Sequence, residues 1–481
     1  MNIVFIASEA APLAKTGGLA DVVAALPRAL QKKDHDVTVI LPYYRSIIDA
    51  TGVMITPMNI HIEMWMDGIT RIAPLHRCEV DGLAFVLIEQ DDLFDREGLY
   101  GSANGAYEDN PLQFIFFDRV ALEAAAHVYS HVDIIHCHDW QTGFIPLMLK
   151  EQYQHRPQIA DARTVFTIHN LAYQGVFAEQ WIERLGLPTQ WFHPQGYEFH
   201  GQLNCMKAGI LAADEITTVS PSYAQEILTP AYGCQLDGFL QKNSGKLQGI
   251  LNGLDVDSHN PATDLSIAKP FQHGKMAGKK ACKTALQRYC GFTESTKTPL
   301  LTLISRLAEQ KGIDLIIANL SKWVNAGWQV AILGSGDAWL EAGLHAAAAS
   351  HPEQIFFHCG FNDTLARKIY AGGDMFLMPS RFEPCGLGQL LAMCYGNVPI
   401  VRQTGGLIDT VVDYQQHKSK ASGLSFVEAS PEAFNQAVCD AVALYKQARI
   451  WSRIRGNGIR RDSSWAASAD RYIALYKQLC V

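Results

Sequence analysis

Short, mostly apolar runs alternate with stretches of helical periodicity along nearly the whole chain. Runs over 2–8, 37–41, 83–88, 132–135, 164–168 and 215–219 read as strands buried on both faces. Helical patterns over 20–31 and 112–129 lie between them, and Pro221 opens another. Strand and helix in alternation predict a doubly wound parallel sheet. Between about 230 and 253 Gly, Asn and Lys accumulate and the periodicity fades. The alternation then restarts, with strands expected over 300–304, 330–333, 355–358, 375–378 and 398–401. A final apolar-periodic run over 465–479 has no strand after it and is expected to return to the first half. The predicted organisation is a Rossmann-like domain over 1–250, a second over 251–458, and a returning helix within 459–481.

Parallel sheets of this kind bind ligands at the carboxyl ends of their strands, so the loops there are searched first. Ser380-Arg381-Phe382-Glu383-Pro384-Cys385-Gly386-Leu387 follows one apolar strand and places a carboxylate, Glu383, just before a helix. On its own, Glu383 reads better as a solvated loop carboxylate. Thr404-Gly405-Gly406-Leu407 follows the next strand, and Thr16-Gly17-Gly18-Leu19 follows the first strand of the chain. The two share the spelling T-G-G-L-x-D-x-V, and paired glycines let backbone N–H groups approach a ligand closely. Two unrelated tight turns would spell the same thing. Arg306 and Lys311 follow the strand over 300–304, a placement suited to a phosphate clamp. His169 and Asn170 end the strand over 164–168, and Asp139 ends the strand that includes 132–135, with His169 able to hydrogen-bond a sugar hydroxyl.

Composition narrows the classes. At 481 residues the chain exceeds one core, and 48% hydrophobic with 18% charged residues is ordinary for a globular protein. A net charge of −8 disfavours a general nucleic-acid binder. No apolar run reaches membrane-span length, and no basic leader precedes the first strand, so neither a membrane partner nor export is expected. Eleven cysteines without CxxC pairs suit reduced thiols in a cytoplasm.

Three strings look metal-like: His136-Cys137-His138, Asp255-Val256-Asp257 and Asp34-His35-Asp36. A catalytic site needs three convergent ligands with an open position, and no second cluster at matching strand ends is evident, so no metal is expected. GxGxxG, GxxxxGK[ST] and GxSxG are all missing, which disfavours dinucleotide, P-loop and serine-hydrolase chemistry. Cys385 has no sequence-adjacent base and reads as a small buried thiol.

Seven strings in register resemble the bacterial glycogen synthases and plant starch synthases: Lys15 to Leu19, His138-Asp139-Trp140, Thr167 to Gly175, Asn252-Gly253-Leu254-Asp255, Ser305-Arg306-Leu307 with Lys311-Gly312, Pro379 to Leu387, and Thr404 to Leu407. The resemblance implies the GT-B fold, two Rossmann-like domains facing across a deep cleft, and transfer of glucose from ADP-glucose to the non-reducing end of an α-1,4-glucan, with retention and without a metal or other cofactor. It implies that Lys15, Gly18, Arg306 and Lys311 meet the diphosphate, helped by N–H groups of Thr404, Gly405 and Gly406. Glu383, His169, Asn170, Cys385, Gly386 and Leu387 would meet the glucosyl group, Asp139 the acceptor and Phe361 the adenine. Asn252 falls within the matched strings and joins the substrate-binding set. A UDP-glucose enzyme, a transferase to a small acceptor, and a silent glycan-binding protein are the rival readings. Departures from the family spelling occur at Gly388, Gln403 and Asp257-Ser258-His259, the first of them in the donor loop.

Overall fold

The computed structural model describes residues 1–480, which divide into two compact units. One comprises Met1–Gly253 with the chain from Trp465 onward, and the other is Leu254–Ser464. The expected boundaries at 250 and 458 fall a few residues short of these.

Among the described residues, the first unit carries a nine-stranded sheet. Its strands are β1 (Asn2–Ile6), β2 (Asp36–Pro42), β3 (Thr56–Met66), β4 (Ile69–Val80), β5 (Leu83–Ile88), β6 (Ile134–His138), β7 (Arg163–Ile168), β8 (Glu215–Thr218) and β9 (Leu247–Gly249). The spatial order is β9-β8-β7-β6-β1-β2-β5-β4-β3. Pairing is parallel from β9 through to β5, then antiparallel through β4 and β3. The antiparallel flap was not expected from the sequence, although its signals are there. Asp67-Gly68 and Asp81-Gly82 sit at the two turns with all four residues at positive φ, the backbone that short hairpins favour. β9 is also an addition: the stretch read as a break contributes an edge strand pairing with β8.

Helix α1 (Gly18–Gln31) buries Leu19, Val22, Val23, Leu26 and Leu30 at helical spacing. It starts two residues earlier than its apolar pattern, so Gly18 belongs to the first helical turn rather than to the loop. Helix α2 (Asn110–Val128) is buried along most of its length. The terminal helix, Trp465–Leu479, packs against α1, with Lys33 Nζ 2.6 Å from Asp470 Oδ1. Its Tyr476 hydroxyl reaches the buried His136 Nδ1 at 2.7 Å.

The second unit is built on a six-stranded, fully parallel sheet: β10 (Leu300–Ile304), β11 (Gln329–Gly334), β12 (Ile355–Cys359), β13 (Met375–Met378), β14 (Val398–Arg402) and β15 (Leu424–Phe426). The order is β12-β11-β10-β13-β14-β15, so the chain reverses direction across the sheet between β10 and β13. Side chains alternate into two cores. Leu301, Leu303, Val330 and Ile332 face helix α3 (Ile313–Asn325) and its Trp323, while Leu300, Ala331, Phe376 and Met378 face the other side. Each fully buried side chain of this size contributes about 1.5–3 kcal/mol, which fixes the register that sets the loops.

Candidate active site

In the second unit the strand order reverses at β10 and β13, and the loops after these strands carry the donor-side residues expected from the sequence. Lys311 Nζ lies 2.6 Å from Glu383 Oε2, and the Ser380 hydroxyl donates to the same oxygen at 3.1 Å. Glu383 is buried at 5% exposure, so this is a sheltered charge pair with its own hydrogen bonds. Gly312 makes the approach of Lys311 possible. It sits at φ 66°, and a Cβ there would meet the Pro379 carbonyl oxygen at 2.2 Å. Arg381 is spent elsewhere, pairing with both oxygens of Asp314 at 2.7 Å and so tying the Glu383 loop to α3.

The second glycine loop grips the first. Gly406 N–H donates to the carbonyl oxygens of Glu383 at 3.0 Å and Pro384 at 3.2 Å. A Cβ on Gly406 would lie 2.2 Å from the Cys385 carbonyl oxygen. Cys385 is buried, Gly386 turns at φ 72°, and Leu387 leads into the short helix α4 (Gly388–Cys394). Gln389 Nε2 donates to the carbonyls of Cys385 and Gly386. Thr404 is buried, and Gly405, at φ 45°, precedes the one-turn helix α5 (Gly406–Thr410). Of the departures from the family spelling, Gly388 lies against the Phe376 ring, and Gln403 Nε2 donates to Ser425 Oγ at 2.9 Å. Arg306 is exposed, unlike the partly buried Lys311. Phe361, after β12, is 88% exposed, an aromatic face held in the open.

In the first unit the ends of β6 and β7 meet. Asp139 Oδ1 accepts the His169 backbone N–H at 2.8 Å, and His138 Nδ1 is 3.0 Å from His169 Nε2. Asp139 holds φ 58°, a backbone uncommon outside glycine, of the sort kept where the surroundings over-determine it. Loss of water around its carboxylate, with a small push from the Glu9 charge, raises Asp139 to about 7 against the N–H groups of His169 and Asn170. The same loss of water lowers His169 to about 3, so its ring is neutral at physiological pH. Asn170 is half-buried, and its Oδ1 accepts the Ala172 N–H. Asn252 is buried, with its Oδ1 unpartnered among the described residues. Lys15 pairs with Asp21 at 2.6 Å on the surface.

Several contributors were not anticipated. Glu9, 4% exposed, accepts from Thr16 N, Thr16 Oγ1, Gly17 N and Tyr100 Oη, which fixes the loop that carries Lys15. A carboxylate directly after the buried first strand was the available signal. The two T-G-G-L loops therefore match in position but not in cause. A Cβ at Gly17 or Gly18 would meet nothing within 4 Å, whereas Gly406 is pressed on Cys385. Beside Asp139 a groove of about 540 Å³ is lined by Trp140, Tyr173, Gln174, Phe177, Phe199 and Gln235. Trp140 and Phe177 have ring centroids 5.5 Å apart, and Gly175 admits the Trp140 ring. Aromatic faces with amide side chains are suited to the apolar faces and hydroxyls of a sugar.

The metal-like strings have other occupations. His136 is held by Tyr476 and Thr167, and Asp255 Oδ1 accepts the backbone N–H groups of Asp257 and Ser258. Asp36 accepts from the Tyr129 hydroxyl. Among the described residues no three His, Cys, Asp or Glu side chains converge as a metal site. No helix among them is long and apolar enough to cross a membrane.

The starch synthase catalytic domain family matches residues 2–242, and the glycosyl transferases group 1 family matches 292–454. Glycogen synthase 2 of Geobacter sulfurreducens is 45% identical, over 99% of this chain and 98% of its own. A glycogen synthase of Anaeromyxobacter dehalogenans is 44% identical over the full length of both. The catalytic domain of starch synthase IV from Arabidopsis thaliana, solved bound to ADP and acarbose, superimposes with a TM-score of 0.92 at 34% identity, covering 100% of this chain and 99% of that one. A sucrose-phosphate synthase from Thermosynechococcus elongatus shares the fold alone, with a TM-score of 0.61 at 17% identity.

Proposed function

The chain belongs to the starch and glycogen synthase family of GT-B glycosyltransferases and has glycogen synthase function, and from that premise we propose that it moves glucose from ADP-glucose to the non-reducing end of an α-1,4-glucan with retention. The observation that carries the donor side is the 2.6 Å contact of Lys311 with the buried Glu383, braced by the Gly406 N–H on the Glu383 carbonyl. A departing diphosphate gains charge in the transition state, so fixed cations act where that charge develops. Lys311 and Arg306 supply them, with Lys15, Gly18 and the Thr404 to Gly406 backbone as further diphosphate contacts. Glu383 opposes the positive charge that grows at the glucosyl carbon, as carboxylates do in glycosidases.

His169, Asn170, Asn252 and the Cys385-Gly386-Leu387 turn hold the sugar, Asp139 stands on the acceptor side, and Phe361 offers a face to the adenine. The aromatic groove beside Asp139 suits an incoming glucan. We read the reaction as needing no metal or cofactor, because Lys and Arg can neutralise the leaving group. Eleven free thiols support a reducing cytoplasm as its setting.

Transfer of labelled glucose to glycogen in EDTA, with ADP-glucose and UDP-glucose in parallel, tests the reading. ADP-glucose should be the better donor and EDTA without effect. Transfer from UDP-glucose alone, or dependence on a divalent ion, would overturn it.

A further inference from the structure

His138 is wholly buried at the end of β6 and absent from every role assigned above. Its ring stacks on His136, with centroids 4.3 Å apart, and on Phe5, 5.4 Å away, the three rings forming one cluster. Its backbone N–H donates to Thr142 Oγ1 at 2.7 Å, and the Thr142 hydroxyl donates back to the His138 carbonyl at 2.9 Å. The ring turns its Nδ1 toward His169, 3.0 Å from Nε2. Asp139, the next residue, takes the His169 backbone N–H at 2.8 Å. Two consecutive residues thus hold His169, one by its ring and one by its main chain.

We infer that His138 is a positioning residue that donates its Nδ1–H to His169 Nε2, leaving His169 with its proton on Nδ1 as an uncharged hydrogen-bond donor to the substrate. A nitrogen–nitrogen contact needs one proton, and two neutral arrangements supply it. If His169 donated, the proton of His138 would sit on Nε2, which is buried with no partner among the described residues. An orphaned buried N–H is rarer and costlier than a bare acceptor. If His138 donates, only a bare lone pair is left at Nε2, and that arrangement wins. Burial lowers both rings well below the usual histidine range, which removes the doubly protonated alternatives. The His-Cys-His string then needs no metal. His136 is taken by Tyr476 and Thr167, and His138 by His169. An uncharged donor in this place reads a hydroxyl oxygen and does not act as a base through Nε2. Contact of His169 with substrate rests on the reading in Proposed function; the proton's location does not.

Two-bond proton–nitrogen spectra of the full chain labelled with ¹⁵N-histidine, assigned with His138→Asn and His169→Gln, read the proton directly and without substrate. A protonated Nδ1 and bare Nε2 on His169 are expected; a protonated Nε2 there overturns the inference. In steady-state transfer, His138→Asn keeps a donor near the Nδ1 position and should hold kcat within about threefold. His138→Phe keeps ring volume without the donor and should lose about tenfold in kcat at little change in glucan KM. A folded Phe variant at wild-type kcat also overturns it, and if that variant fails to fold, the wild-type spectrum alone decides. Failure of ADP-glucose as donor would fall on the functional reading and leave the spectrum unaffected.

Discussion

Glu383 is held on three sides: by Lys311, by Ser380 and, through its carbonyl, by Gly406. Glu383→Gln preserves shape and most hydrogen bonds while removing the charge. Turnover should fall by about a hundredfold or more, and the melting temperature should drop as well, because Lys311 loses its buried counter-charge. A variant within about tenfold of wild type would contradict the assigned role. Asp139 makes a second prediction at this scale. Its carboxyl is raised to about 7 in the folded chain, chiefly by burial, so the folded state binds a proton that the unfolded chain releases near pH 4. Stability from this group is present below the unfolded value and declines as pH rises through 7. Asp139→Asn removes that decline, so its melting temperature relative to wild type should improve from pH 5 to pH 8. A difference that stays flat or moves the other way would refute the shift. These strand-end residues were legible in sequence because polar side chains directly after apolar runs are conspicuous. His138 was quoted there only within metal-like and family strings, because nothing local in a sequence shows which ring nitrogen meets a neighbour 31 positions away.

Among elements, the two glycine loops give the clearest contrast. Gly406 admits no Cβ because the Cys385 carbonyl oxygen would lie 2.2 Å from it, while Gly17 has open space and an extended backbone. Gly406→Ala should therefore cost about 1–3 kcal/mol and weaken ADP binding, with Gly17→Ala near wild type in thermal unfolding. Equal losses from the two substitutions would contradict this contrast in packing. The parallel strands were readable because each is a short apolar run between helical patterns. The β3–β4 flap was not, since its half-exposed strands alternate weakly and the Asp-Gly turns carry most of the signal. Its Asp67 turn is fastened by Arg184 at 2.7 Å, a partner far along the chain.

At the scale of the whole chain, the terminal helix closes the first unit from 340 positions away through Tyr476 and His136. Tyr476→Phe leaves a buried ring nitrogen unsatisfied and should lower stability by about 1–3 kcal/mol in urea unfolding. A loss near zero would mean that the helix docks by apolar contact alone. Two successive α/β units, the strand ends at which polar side chains collect, and the family can all be read along the chain, because apolar period and short motifs are local properties. Folding in three dimensions is what brings Lys311 to Glu383, Glu9 into the N-terminal glycine loop, and His138 to His169. The first and last of those contacts join residues on separate strand-end loops, and sheet order and register, set by packing across the whole unit, determine which loops become neighbours.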